Sequence, residues 1–155
     1  MMMNRPTWDE YYINMLDAVS LRSTCDRGKC AAIITKDNHI LSTGYAGSPP
    51  GSPHCDEAGH MLKKVTHGDG TTTEHCKRTI HAEKNAIFHC NVSMGGATIY
   101  IKMEPCYDCA MAISAVGIKR VVCAKRYHKA EESRELLQMA NIVIITLSHD
   151  EEEYE

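Results

Sequence analysis

The first half of the chain shows one segment with helical spacing of apolar residues, followed by two short strand-like runs. From Thr7 onward apolar residues recur every three or four positions, and Thr7 with Glu10 forms a capping-box pair, so we predict an amphipathic helix that starts there. The runs CAAIIT and HILSTGY, joined by KDN, predict an antiparallel hairpin. The stretch GSPPGSP then interrupts regular structure.

The second half alternates between helical and strand patterns. In chain order the segments are HAEKNAIFHC (helix), ATIYIKM (strand), PCYDCAMAISAVG (helix), IKRVVCAK (strand), EESRELLQMA (helix) and NIVIITL (strand). Such alternation favours βαβ units with parallel strands. We therefore predict an α/β fold, a three-layer α/β/α sandwich with a mixed five-stranded sheet, in a single domain over residues 1–155.

Two segments depart from this pattern. Residues 48–79 show little periodicity but are rich in cysteine and histidine, and so long an irregular insert in one domain is usually functional or held in place by an organiser. Residues 149–155, HDEEEYE, form an acidic tail that we expect to be solvated.

Composition limits the classes of function. A chain of 155 residues with 43% hydrophobic content suits one globular core. The start, MMMNRPTWDEYY, has no apolar segment behind a basic one, so we expect an intracellular, cytoplasmic protein with reduced cysteines. No apolar run is long enough to span a bilayer, and a net charge of −3 argues against a nucleic acid polymer as partner. Eight cysteines and nine histidines make metal binding the first hypothesis.

Two short motifs carry the strongest chemical signal. His81 and Glu83 stand in an HxE triplet, which alone is a common surface pattern, and Cys106 and Cys109 stand in PCxxC, which alone also fits a redox or structural thiol pair. Together they match the signature HxE…PCxxC, in which one His and two Cys bind zinc and the Glu is not a ligand. Both motifs fall where a predicted helix begins, which strengthens the interpretation.

This placement predicts a catalytic centre. Cys106 and Cys109, three residues apart behind Pro105, project from one face of a first helical turn, while His81 opens another helix. The positive ends of two helices then favour thiolates and other negative charge. Three ligands leave the fourth tetrahedral position open for water. Glu83 is the expected proton shuttle between the attacking water, a ring nitrogen and a departing amine.

At this point the chain resembles the cytidine and deoxycytidylate deaminase superfamily, and more closely its deoxycytidylate (dCMP) branch. The resemblance runs from about Trp8 to Leu147, through LRSTCDRGKCAAII, STGYAGSPPG, CDEAGH, HCKRTIHAEKNAI and EPCYDCAMAISAVGIKRVV. It implies the cytidine deaminase-like fold and zinc-dependent hydrolysis of dCMP to dUMP and ammonia, which supplies the precursor for thymidylate synthesis. It also implies a homo-oligomer, often a homohexamer, that dCTP activates and dTTP inhibits.

The resemblance also suggests where nucleotides bind. The branch usually reads GYNG, whereas this chain has Ala46 in place of the Asn, so sugar recognition or regulation is expected to differ. We assign a regulatory triphosphate, with magnesium as a possible companion ion, to Gly44, Tyr45 and Gly47. For the substrate we select four residues: Arg27 and Lys29 as phosphate partners, and Ala82 and Tyr127 as residues that border the pocket.

The insert suggests a second, structural zinc. Ligands of the right type are Cys55, His60, His75 and Cys76, with His67 as a spare. Because His75 and Cys76 are adjacent, their side chains point in different directions, and we do not expect both to bind.

Two alternatives stay open. One is deamination of another small nucleobase compound, such as free cytosine or a riboflavin precursor, or of adenosine in RNA, although the negative net charge argues against a polymer. The other is a catalytically silent module that binds zinc and nucleotides. Glu83 argues against the silent module, because a structural metal site has no use for an unliganded carboxylate.

Overall fold

A central mixed sheet organises the protein. In the computed structural model, which describes residues 3–148 and 151–152, its strands lie in the order β2-β1-β5-β6-β7. These strands are β1 (Ala31–Lys36), β2 (His39–Tyr45), β5 (Thr98–Met103), β6 (Arg120–Tyr127) and β7 (Val143–Thr146). β1 is antiparallel to β2 and β5, whereas β5, β6 and β7 are mutually parallel. The predicted five-stranded mixed sheet is confirmed.

Helices cover both faces of this sheet. They are α1 (Trp8–Ser20), α3 (Ala82–Phe88), α4 (Tyr107–Ala115) and α5 (Glu131–Met139). Along β1, Ala31 and Ile33 pack with Tyr12 and Leu16 of α1. The alternate residues of β1 pack on the other face, in one core with residues of α3, α4 and α5. Because side chains of a strand alternate between faces, both faces are buried and three layers result.

Local sequence signals explain the first elements. The Glu10 backbone N–H donates to Thr7 Oγ1 at 3.2 Å, and the Thr7 N–H donates to a Glu10 carboxylate oxygen at 2.8 Å, which confirms the predicted capping box. Asp37 and Asn38 have φ angles of 51° and 58°. These left-handed residues make the tight turn between β1 and β2, as the predicted hairpin requires.

The insert at residues 48–79 is more regular than predicted. It contains the short helix α2 (Cys55–Ala58) and an antiparallel hairpin of β3 (Leu62–Thr66) and β4 (Thr72–Cys76). The prediction of an irregular loop was wrong here because most of these strand residues are exposed, so no apolar alternation marks the strands. At the tip of the hairpin, the carboxylate of Asp69 pairs with the ammonium of Lys129 at 2.6 Å.

The last described residues form β8 (Glu151–Glu152), which pairs in parallel with the end of β6. The acidic tail therefore includes a short backbone pairing, while its residues 149, 150 and 153–155 lie outside the described part. Within residues 3–148 and 151–152, every helix is too short or too polar to cross a lipid bilayer.

Candidate active site

Three predicted ligands meet between the starts of two helices. His81 is the N-cap of α3 and Cys106 is the N-cap of α4. The Nδ1 atom of His81 lies 3.5 Å from Cys106 Sγ and 3.4 Å from Cys109 Sγ. Tetrahedral zinc with usual bond lengths separates nitrogen and sulfur ligands by about 3.6 Å. The three residues, called here the three-donor cluster, therefore fit a zinc ion.

The thiols and the imidazole of this cluster are electrostatically linked. The hydrogen bond from the Cys109 thiol, with a further contribution from His81, lowers the pKa of Cys106. The same contact and burial raise the pKa of Cys109. The Cys106 contact raises the pKa of His81. These directions favour a thiolate at Cys106 over one at Cys109, and a bound cation favours loss of the second thiol proton.

Glu83 lies beside this cluster, in the first turn of α3. It is only 5% exposed, and burial raises the pKa of its carboxyl group above the usual value. Its carboxyl contacts Cys109, and His81 acts on it through its charge. A buried carboxyl next to three metal donors has the position and the protonation tendency of a general acid–base group.

Close packing of β2 fixes the start of α3. A Cβ on Gly44 would lie 2.4 Å from both Ala82 O and Ala86 N, so only glycine allows this approach. The side-chain amide of Asn85 donates to the carbonyl oxygen of Tyr45 at 2.8 Å. These contacts hold the helix that carries Glu83 against the sheet.

Two adjoining cavities open onto the cluster. A small one of about 50 Å³ is lined by Ala46, Ala82 and Glu83 among others. The larger one, about 540 Å³, is called here the cleft and lies between the β3–β4 hairpin and helices α3, α4 and α5. The cleft is lined by more lysines than carboxylates. The lysines are Lys63, Lys77, Lys84 and Lys129, and the carboxylates are Asp108 and Glu132.

A second group of metal-type donors holds the base of the hairpin. Cys25, Cys55, His60 and Cys76 bring their donor atoms within 4.8 Å of one another, and we call them the four-donor cluster. Cys55 and Cys76 Sγ atoms are 3.5 Å apart, and Cys25 Sγ lies 3.6 Å from His60 Nδ1. Ligands of tetrahedral zinc are separated by about 3.6–3.8 Å, so this set also fits the ion.

The surroundings of the four-donor cluster share features with known metal sites. His60 Nε2 pairs with an Asp26 carboxylate oxygen at 2.8 Å, which leaves Nδ1 directed at the thiols; metal-bound histidines commonly have such a carboxylate partner. Burial opposes ionisation of Cys76, yet the backbone N–H groups of Met61 and Arg78 lower its pKa to about 6. Burial raises the pKa of Cys55 to about 11.

This arrangement corrects the predicted ligand set of the insert. His75 lies outside the four-donor cluster: its Nε2 bonds the Thr73 hydroxyl at 2.8 Å, and it lines both cavities. The spare, His67, bonds the same hydroxyl at 2.7 Å. Adjacent strand residues face opposite sides, so Cys76 reaches the cluster and His75 does not. The missing donor, Cys25, precedes β1, and no sequence spacing links it to the insert.

The remaining predicted residues are only partly brought together. Ala82 lines the small cavity and Tyr127 lines the cleft. Arg27 lines the small cavity and donates to the Glu74 carbonyl oxygen at 3.2 Å. Lys29 is exposed and is not among the described residues that line these two cavities.

The residues assigned to a regulatory nucleotide lie together at the end of β2. Gly44 packs against α3, the Tyr45 carbonyl accepts from Asn85, and Gly47 forms a bridge with Ile80. Their regulatory role stays a prediction.

Hydrolysis needs an electrophilic or water-activating centre, an acid–base group and a space for the substrate. The three-donor cluster, Glu83 and the two cavities provide these on an α/β/α scaffold, which defines the class as metal-dependent hydrolases.

Comparison with known proteins gives the family. Residues 6–125 match the family model described as the cytidine and deoxycytidylate deaminase zinc-binding region, and the chain belongs to this family.

Individual relatives cover most of the chain. The deoxycytidylate deaminase of Mycobacterium phage D29 is 39% identical over 126 residues, which cover 79% of this chain and 98% of the relative. ComE operon protein 2 of Bacillus subtilis (strain 168) is 35% identical over 152 residues, or 96% of this chain and 76% of the relative. The crystal structure of dCMP deaminase from cyanophage S-TIM5 in complex with dCMP and dUMP superposes with a TM-score of 0.72 at 25% identity, covering 94% and 100% of the two chains.

Proposed function

We propose that the protein is a zinc-dependent dCMP deaminase that forms dUMP and ammonia. The observation that carries the proposal is the position of Glu83, buried beside an open set of three metal donors in the small cavity that adjoins a nucleotide-sized cleft. Similarity to a structure described as bound to dCMP and dUMP supports this substrate. The product dUMP would serve as the precursor for thymidylate synthesis.

His81, Cys106 and Cys109 would hold the zinc ion. When bound there, zinc supplies a Lewis acid that lowers the pKa of water at the open position. Glu83 takes a proton from the attacking water and delivers one to ring N3 as the oxygen adds to C4. The carboxylate then takes the second proton from the hydroxyl group added at C4 and gives it to the exocyclic nitrogen; the C4–N bond breaks, and ammonia leaves as the carbonyl forms. The small side chains of Ala46 and Ala82 leave room for the ring next to this carboxyl group.

The phosphate of dCMP would lie in the cleft. Lys129 already pairs with Asp69, so we assign phosphate recognition to Lys63, Lys77 and Lys84, with Arg27 at the edge of the small cavity. Local positive charge in a chain of net charge −3 favours a small anionic substrate over a nucleic acid polymer. Lys29 is exposed outside these cavities and receives no such role.

A substrate panel tests this function. Steady-state ammonia release should be far faster per unit concentration with dCMP than with deoxycytidine, because loss of the phosphate leaves its cationic partners unpaired. CMP should be poorer than dCMP by a smaller margin. Equal or higher kcat/KM for deoxycytidine, free cytosine or a riboflavin precursor would reject dCMP as the substrate. Absence of turnover with all of them would indicate a silent binding module.

We further propose that the four-donor cluster binds a second, structural zinc. Four protein donors close the tetrahedral shell, and they come from the loop before β1, α2, the segment after α2 and β4. A metal that joins these four segments would supply the organiser that the insert needs.

Self-association and regulation belong to the same proposal. Exposed apolar side chains near the cleft, Phe88, Tyr107 and Met111, support a homo-oligomer, for which a homohexamer is the expected state. A triphosphate bound near Gly44, Tyr45 and Gly47, with magnesium, would act on α3 and hence on Glu83. Sigmoidal velocity curves in dCMP that dCTP makes hyperbolic, with inhibition by dTTP, would support the regulation; curves untouched by either triphosphate would reject it.

The cellular location follows the chemistry of the thiols. The five cysteines assigned to the two clusters have to stay reduced to bind zinc, and this requirement agrees with the cytoplasmic location that we predict from the sequence.

A further inference from the structure

Two carboxylates are buried among the described residues, Glu83 and Glu104. Glu83 has a role in the proposed reaction, whereas Glu104 is not among the described residues that line the two cavities. The Glu104 side chain is 1% exposed. Burying an ionised carboxylate is unfavourable unless it is paired and hydrogen-bonded. Contacts around Glu104 therefore have to replace the hydration that it loses.

Glu104 is surrounded by donors from two other elements. Its Oε1 accepts the Tyr127 backbone N–H at 3.2 Å and Arg134 Nη1 at 2.9 Å, and its Oε2 accepts the same Nη1 at 2.8 Å. Arg126 Nε lies farther away, 3.6 Å from Oε1. One carboxylate therefore joins the end of β5, the end of β6 and α5.

The position of Glu104 connects these contacts to the cleft. It lies just before Pro105 and Cys106, and its backbone N–H donates to the Lys125 carbonyl at 3.2 Å. On the other side it holds Tyr127, which is 2% exposed and lines the cleft. Two residues further, Lys129 pairs with the tip of the hairpin. The wall of the cleft and one anchor of the hairpin thus depend on this carboxylate.

We propose that Glu104 is a positioning residue for substrate binding: it fixes Tyr127 and the segment that follows relative to the metal-ligand turn. This inference rests on the proposed deaminase function. Tyr127 borders the substrate but has no part in proton transfer. Loss of Glu104 therefore weakens binding of the substrate and of the transition state alike, which raises KM more than it lowers kcat.

Glu104→Gln tests the proposal, because the amide keeps the shape but loses the charge and one acceptor. We expect KM for dCMP to rise about 10-fold, as expected when a buried charged partner is left unpaired, with kcat changed less than about 3-fold and the zinc content unchanged. Arg134→Gln should reproduce this pattern. Arg126→Gln, whose contact is longer and more exposed, is the matched control and should change KM least. In the double variant Glu104→Gln/Arg134→Gln, KM should rise by less than the product of the two single-variant increases.

Several outcomes would overturn the proposal. Unchanged KM with only a lower melting temperature would assign Glu104 a merely structural role. Loss of zinc, or a fall in kcat at constant KM, would place its effect on the metal or on the chemical step. If Glu104→Gln does not fold, the KM, kcat and zinc content of Arg134→Gln decide whether the proposal holds. Failure of the wild type to deaminate dCMP would reject the proposed function instead, and the same variants would then be compared on whichever panel compound the wild type deaminates.

Discussion

The two cysteine–histidine clusters contain the same ligand types, and we propose different roles for them. The three-donor cluster lies where α3 and α4 begin, beside a buried carboxyl group and two cavities. The four-donor cluster joins loops, α2 and the hairpin, and its only described carboxylate partner, Asp26, bonds the histidine instead of facing a cavity. In this proposal, donor number and the neighbouring carboxylate, more than ligand identity, separate the catalytic site from the structural one.

The largest effect is expected from the carboxyl group that distinguishes the clusters. Glu83→Gln should retain zinc and fold but lose at least about 100-fold in kcat, within the range for removal of an acid–base group. Glu132→Gln, which changes an exposed carboxylate of the adjoining cleft, should leave kcat nearly unchanged. Turnover of dCMP and zinc content are the measurements, and a fully active Glu83→Gln would remove the proton shuttle from the mechanism.

Removing one ligand from each cluster should separate their roles. Cys106→Ala should lose the catalytic metal and all measurable turnover. Cys25→Ala should lose the other metal equivalent and lower the melting temperature but keep measurable turnover, because the three donors and Glu83 remain even though Cys25 also lines the small cavity. Cys90→Ala, outside both clusters, is the control. Elemental analysis that finds full zinc in Cys25→Ala would reject the four-donor site.

A smaller, more selective effect is expected from the two histidines of the insert. His60→Ala should reduce occupancy of the second site, with a loss of affinity of at least about 10-fold. His75→Ala should leave both metals in place and change only kinetics with dCMP, since His75 lines the cavities. The reverse pattern in a metal titration would show that the insert binds metal through the originally predicted His75.

The smallest effect is expected far from both clusters. At the end of β6 opposite Tyr127, Arg120 Nη1 donates a hydrogen bond to Asp9 Oδ1 at 2.8 Å. This hydrogen bond lowers the pKa of Asp9 below its ordinary value of 3.8. The resulting stability is present above the unfolded pKa and is lost as pH falls through the folded value. Asp9→Asn should therefore remove about 1 kcal/mol of stability at neutral pH and less at pH 3. Thermal unfolding at both pH values checks this, and zinc content should not change.

The fold and the three-donor cluster were predictable because local signals agree with the global structure. The helical and strand patterns of residues 81–147 match the observed elements, and His81 and Cys106 were predicted at helix starts, where they lie. The hairpin of the insert was missed because exposed strands need no apolar alternation. Cys25 joins its cluster only through the tertiary fold, so spacing along the chain carries no signal for it.

The lysines of the cleft were missed for a similar reason. Arg27 and Lys29 were selected because they are near in sequence to the RSTC motif, yet positive charge at the cleft comes from the hairpin, α3 and the segment after β6. Glu104 stands next to a recognised motif, but its partners Tyr127 and Arg134 become neighbours only when β5, β6 and α5 pack together.

The most direct test of the division between the clusters is anomalous diffraction at the zinc edge from crystals of the metal-replete protein. Two peaks per chain are predicted. One should lie among His81, Cys106 and Cys109 with no protein atom as fourth ligand, and the other among Cys25, Cys55, His60 and Cys76. A single peak, or Glu83 bound directly to the first ion, would contradict the assignment of one open catalytic zinc and one closed structural zinc.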